Sequence, residues 1–178
     1  MKKVFLIAAL SAISFAGFSQ TSKGTWLVGG TAGFTSSKYG DAKLSKIDFS
    51  PSAGYFVMNN LAVGLEVQVG SEKSNSGVAG AADYTTSSTF FGPNVRYYFT
   101  SLGKNAKLFG SGAFAFGNSK DGSDKVNATA WGLSAGPAFF LNKNVALEVT
   151  VGYSSAKVKD DTNSTNSFGI QAGFQIHL

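Results

Sequence analysis

From Phe49 to Gly70 the chain reads FSPSAGYFVMNNLAVGLEVQVG, and its side chains alternate with a period of two. Phe49, Pro51, Ala53 and Tyr55 fall on one side, and Ser50, Ser52 and Gly54 on the other. Past Asn59-Asn60, Leu61, Val63, Leu65, Val67 and Val69 alternate with Ala62, Gly64, Glu66, Gln68 and Gly70. A two-residue period marks a strand whose two faces differ chemically. The break around Asn59-Asn60 is short enough for a tight turn, and Asn tolerates the positive φ such turns need. The pattern predicts a β-hairpin with one oily face and one small or polar face.

The same period returns along the chain. It predicts eight strands, over about 25–35, 46–56, 61–72, 87–99, 106–117, 128–141, 145–155 and 166–178. Connections after the second, fourth and sixth strands are short; those after the first, third, fifth and seventh are longer and polar. Each strand is near the length a tilted strand needs to cross a bilayer, about 9–11 residues. The layout is that of an all-β, eight-stranded antiparallel up-and-down transmembrane β-barrel (a meander), with short periplasmic turns and longer extracellular loops.

Two arguments choose the inward face. The face with Glu66, Arg96, Glu148, Gln171 and Gln175 also carries most of the glycines, and an eight-stranded barrel has a narrow interior that small residues must leave open. Asp48, Gln68 and Asn94 share that face. On the other face the aromatics gather at the strand ends. Trp26, Tyr55, Tyr97, Phe99, Phe139 and Phe174 would form a periplasmic belt, and Phe34, Phe91, Phe116, Trp131, Tyr153 and Phe168 an outer one. Two belts bounding an aliphatic middle suit a bilayer with two interfaces. Pro51 and Pro93 lack an amide donor and are expected at bulges or strand ends.

The first 19 residues read as a secretory signal peptide. Lys2 and Lys3 precede an apolar run, and Gly17 and Ser19 suit a peptidase site before Gln20. Residues 20–178 then form one barrel domain. The formal charge is +5, and loss of Lys2 and Lys3 leaves +3, small and scattered, which argues against nucleic acid. There is no cysteine, which excludes a disulfide framework, a thiolate nucleophile and a lipid-modified cysteine.

The chain resembles the OmpA/OmpX-like eight-stranded outer-membrane barrels, in particular the "outer membrane protein beta-barrel domain" or porin-like proteins of Bacteroidota. The resemblance is carried by the leader ending in Ser-Gln, by Pro51-Ser-Ala-Gly-Tyr-Phe56, Leu61-Ala-Val-Gly-Leu65 and Gly92-Pro-Asn-Val-Arg-Tyr-Tyr-Phe99, and by the terminal strand Phe168 to Leu178. Such barrels often end in Phe, whereas this chain ends in Leu178. The resemblance implies residence in the cell outer membrane, insertion by the barrel-assembly machinery, and contact with membrane lipid and lipopolysaccharide. A monomer is expected.

Candidate chemistry is sparse. Glu66, Arg96 and Glu148 lie in about the first third of their strands from the periplasmic end and face one lumen. Buried charges need partners. The expectation is a charged network that plugs the lumen, with Arg96 bridging Glu66 on the neighbouring strand and reaching Glu148 across the barrel. His177 is the sole histidine and is expected at the rim as an interfacial polar group. No carboxylate pair has a spacing suited to acid–base work, and Gly110-x-Gly112 and Gly29-Gly30-x-x-Gly33 lie in strands without following helices, unlike phosphate cradles. No enzyme activity and no cofactor are expected. Three function classes remain: a structural or surface-interaction barrel with a plugged lumen, a narrow channel for small solutes, and a soluble lipocalin-like barrel that would bury its aromatic face.

Overall fold

A computed structural model describes residues 20–39, 41–76, 83–121, 124–159 and 162–178. The leader, 1–19, lies outside the described residues. Eight strands follow one another: β1 (Trp26–Tyr39), β2 (Ala42–Met58), β3 (Leu61–Asn75), β4 (Tyr84–Ser101), β5 (Ala106–Asp121), β6 (Asp124–Phe140), β7 (Val145–Val158) and β8 (Thr165–His177). Each pairs antiparallel with the next, and β8 closes on β1 to complete a barrel.

The strands run longer than the hydrophobic pattern predicts, by several residues at their outer ends. Largely polar stretches such as 36–39, 42–45 and 118–121 stay in the ladder, as in Ser36↔Ser45 and Asn118↔Asn127. Backbone pairing does not require oily side chains, so the alternation fades where the wall leaves the apolar zone. Most of the β1–β2 and β5–β6 excursions is therefore paired strand. The periplasmic turns are short, and Asn60 takes a left-handed φ of 68° in the β2–β3 turn, which asparagine accommodates better than most residues.

The ladder is staggered. Following register partners around the wall from Leu27 leads through Gly54, Gly64, Asn94, Ala113, Gly132 and Ser154 to Ser167. On closing, however, Leu27 meets His177, ten residues further along β8. Such a stagger goes with strands tilted by about 40° to the barrel axis.

All three prolines sit mid-strand, which corrects the expectation for Pro51 and Pro93. Pro51 pairs with Gly30, Pro93 with Leu65 and Pro137 with Leu108. On the opposite side of each, two residue pairs drop out of the ladder: Ser50 and Pro51 against β3, Gly92 and Pro93 against β5, Gly136 and Pro137 against β7. The register does not shift there; the irregular steps fall at Phe56/Met58 and Tyr98/Thr100. A proline has no N–H to give, so it leaves its ladder open on one side only. At two of these gaps the backbones press together. A Cβ at Gly92 would strike the Phe114 carbonyl, and one at Gly136 the Val149 carbonyl.

The outward face is apolar. All twelve belt aromatics point away from the lumen and are exposed, and between them lie Val28, Val63, Leu65, Leu133, Val149 and Ile170. This is the reverse of a lipocalin-type barrel. Several belt rings pack edge to face, Trp26 on Tyr55 at 5.2 Å and Tyr97 on Phe99 at 5.1 Å, a preferred geometry for aromatic pairs.

Candidate functional site: a lumen closed at its periplasmic end

The barrel's buried core lies inside the lumen near the periplasmic turns. Phe56 from β2, Tyr98 from β4, Phe109 from β5 and Phe140 from β6 converge there with Leu27, Ala62, Ala138 and Ala146. His177 from β8 stands among the rings, 5.2 Å from Phe140 and stacked on Phe56 at 5.9 Å. It is 3% exposed, which corrects the expectation of a rim position. Its parity explains why: His177 shares the inward phase of Gln171, Gly173 and Gln175. Tyr98 completes the floor, 6.0 Å from Phe56 and 5.7 Å from Phe109.

Below the rings the chain's first described residues form a strap. Thr21 is buried; its hydroxyl donates to Asn60 Oδ1 at the β2–β3 turn and accepts from Lys107 Nζ at 2.7 Å. The Asn60 amide donates to the Thr21 carbonyl at 2.7 Å. The strap thus joins β5 to the β2–β3 turn, with β4 between them.

Directly above the rings sits one ion pair. Arg96 Nη1 donates to Glu148 Oε1 at 2.7 Å, with the Glu148 side chain wholly buried. The guanidinium lies over the Phe109 ring, 4.3 Å from its centroid, so the charge also meets the negative face of an aromatic. The Gln175 amide and the Tyr98 hydroxyl lie against the pair, outside good hydrogen-bond geometry.

Glu66 is elsewhere. Its carboxylate accepts from Gln68 Nε2 at 2.6 Å and from Asn94 Nδ2 at 3.5 Å, and no Arg96–Glu66 ion pair forms among the described residues. The stagger is the cause. Arg96 opposes Ala62 on β3, while Glu66 opposes Gly92, four residues on, or about 13 Å along the strand at ~3.3 Å per residue. Position counted from strand ends ignores this offset. Asp48 pairs higher still, with Lys46 at 3.4 Å. The six polar residues singled out in the sequence therefore occupy three levels.

Above the ion pair the lumen widens into a cavity of about 550 Å³. Glu66, Gln68 and Asp48 line one wall, and small residues of β6 to β8, such as Ala130, Ser134 and Gly169, line the other. Among the described residues no three His, Asp or Glu side chains are grouped to hold a metal. Near the outside, Lys73 pairs with Asp83 at 2.6 Å and Asn75 Nδ2 donates to the same carboxylate at 2.6 Å. Those contacts hold the Asp83 carboxyl below its ordinary range.

The family described as "Outer membrane protein beta-barrel domain" matches residues 5–178. The chain belongs to that family. Among solved structures it is similar to Neisserial surface protein A (NspA), at 18% identity and a TM-score of 0.57, over 85% of this chain and 94% of that one. It is also similar to the outer membrane protein OprG of Pseudomonas aeruginosa, at 13% identity and a TM-score of 0.53, over 90% of this chain and 99% of that one. At these identities the likeness is one of fold. No curated protein matches the chain. Membership of the outer membrane protein beta-barrel family rests on the match over residues 5–178, and the closed meander with its outward apolar face agrees with it.

The floor's rings Phe56, Tyr98, Phe109 and Phe140 are not among the residues that the sequence pattern singles out. A signal was present in the doublets Tyr55-Phe56, Tyr97-Tyr98 and Phe139-Phe140. In a strand, consecutive aromatics must point to opposite faces, so each doublet at a periplasmic strand end supplies one ring to the belt and one to the lumen.

Proposed function

We propose that this protein is a non-conducting outer-membrane barrel with a structural or surface-interaction role, its lumen stopped at the periplasmic end. The supporting observation is the floor: Phe56, Tyr98, Phe109 and His177 are at most 3% exposed, and the Arg96–Glu148 pair caps them. An ion crossing here would have to leave water for a packed apolar layer, which costs far more than thermal energy. In this reading residues 1–19 are a cleaved leader, the assembly machinery inserts the barrel as a monomer, and the outer ends of the strands meet lipopolysaccharide or external partners. The outer cavity favours one second reading, a narrow channel whose floor opens.

Planar-bilayer recording separates the two. The first reading expects no conductance steps from the wild type. It is abandoned if the wild type gives steady single-channel currents. It is also abandoned if Arg96→Ala changes neither unfolding stability nor conductance.

A further inference from the structure

The wall of this barrel is incomplete on one side. β1 and β8 pair only from Leu27↔His177 to Ala32↔Ala172. Above that point both strands continue, β1 to Tyr39 on its ladder with β2 and β8 from Thr165 on its ladder with β7, but no β1–β8 ladder joins them among the described residues. Two free strand edges therefore face each other.

Three observations show that the gap is open. Every residue from Thr165 to Ile170 is exposed, including Ser167 and Gly169, which have the lumen's parity. A Cβ added at Gly169 would meet nothing within 4 Å. The large apolar side chains most exposed among the described residues are Phe168 at 74%, and Phe34 and Ile170 at 68%; all three border the gap. The cavity's lining reaches both edges, with Thr31 and Gly33 on one side and Ser167, Gly169 and Gln171 on the other. The lumen thus communicates with the barrel's outer surface through the wall.

We infer that the β1–β8 seam is a lateral doorway by which a single-chain amphiphile with a neutral or cationic head exchanges between the outer leaflet and the lumen cavity. The inference rests on the closed floor proposed above, because a stopped lumen leaves only the external mouth and the seam as exits. The ladder ends two residues below Phe34, so the doorway begins beneath the outer aromatic belt, at the depth of acyl chains. Unpaired backbone groups facing hydrocarbon cost several kcal/mol each, and the polar cavity behind the seam relieves that cost. A cavity of about 550 Å³ lies within the size range of small-molecule pockets, about 300–1,000 Å³, which suits one alkyl chain with a small head. Asp48, Glu66 and Glu72 line it with Lys46 and Arg96, and because Arg96 is already paired with Glu148 the balance disfavours an anionic head. The small residues of β6 to β8 provide the surface for the chain.

The test uses a long-chain alkylammonium with a diazirine at its tail, photolysed in vesicles carrying the full barrel, with the labelled residues mapped by mass spectrometry. The expected result is labelling of the lumen positions Ala130 and Ser134, saturable and displaced by unlabelled alkylammonium. The chain lacks cysteine, so Ser36→Cys with Phe168→Cys can bridge the two edges. Gly169→Trp fills the gap without needing a disulfide. Either seal is expected to lower lumen labelling at least about tenfold, a change of ~1.4 kcal/mol in apparent affinity, while labelling of the lipid-facing Leu133 persists. Lumen labelling that survives in both sealed forms overturns the inference, as does labelling confined to lipid-facing residues in the wild type. Conductance of the same wild-type vesicles reports on the floor separately, so a leak would unseat the non-conducting reading while the labelling pattern still decides the seam.

Discussion

Arg96 bonds Glu148, three strands away on β7, and not Glu66 on the adjacent β3. In a barrel closed with a ten-residue stagger, neighbours in sequence order are not neighbours in height. Removing either partner leaves the other charge buried among rings. Arg96→Ala is expected to destabilise the folded barrel by about 3–5 kcal/mol, whereas Glu66→Gln, which keeps an acceptor for Gln68 and Asn94, should cost under about 1 kcal/mol. Urea unfolding in lipid vesicles, followed by tryptophan fluorescence, measures both.

The floor is made by rings more than by charge. Phe56 and Phe140 are buried at its centre, and truncation of a buried Phe to Ala costs about 3–5 kcal/mol and leaves a cavity. The double variant Phe56→Ala with Phe140→Ala should admit water to the floor. The expected readout is small ion currents in planar bilayers that the wild type does not show.

On the lipid side the sign of the effect reverses. Leu65 of β3, between the levels of the belt residues Tyr97 and Phe91, is 52% exposed on the apolar face. Leu65→Arg should lower stability by about 2–4 kcal/mol if it sits near the membrane midplane. The same arginine at Gln68, on the lumen face, should be nearly neutral. Paired unfolding curves in vesicles distinguish the faces.

At the external end, Lys73 and Asn75 hold the Asp83 carboxyl below the ordinary carboxylate range. A lowered folded value means that the contact contributes above the unfolded pKa, about 3.9, and is lost as pH falls through the folded value. Carboxyl NMR should find Asp83 titrating below the ordinary aspartate value of about 3.9. Lys73→Met should return it towards the ordinary range.

The sequence made the barrel legible because one face of every strand meets a different medium from the other. Alternation such as Leu61, Val63, Leu65 against Gly64, Glu66, Gln68 reports that difference directly. It says nothing about stagger, which is why the expected bridge from Arg96 to Glu66 does not form while the one to Glu148 does. It also fades where both faces meet water, so the outer ends of the strands, Lys43 to Ser45 among them, read as loop. His177 lies next to the chain end, which suggests the rim, but its parity points inward. The floor was written in aromatic doublets whose second ring had no evident use until the lumen was seen to need a stopper.

The prolines have a consequence for how such a wall is made. Uninterrupted pairing joins β1 to β2, β3 to β4, β5 to β6 and β7 to β8. Between those couples the stitching is broken, at Pro51, Pro93 and Pro137 and by the short closure of β8 on β1. The cylinder is four stiff panels basted edge to edge. Entry into the bilayer two strands at a time would keep each panel's backbone bonds whole and leave only the weaker joins for last.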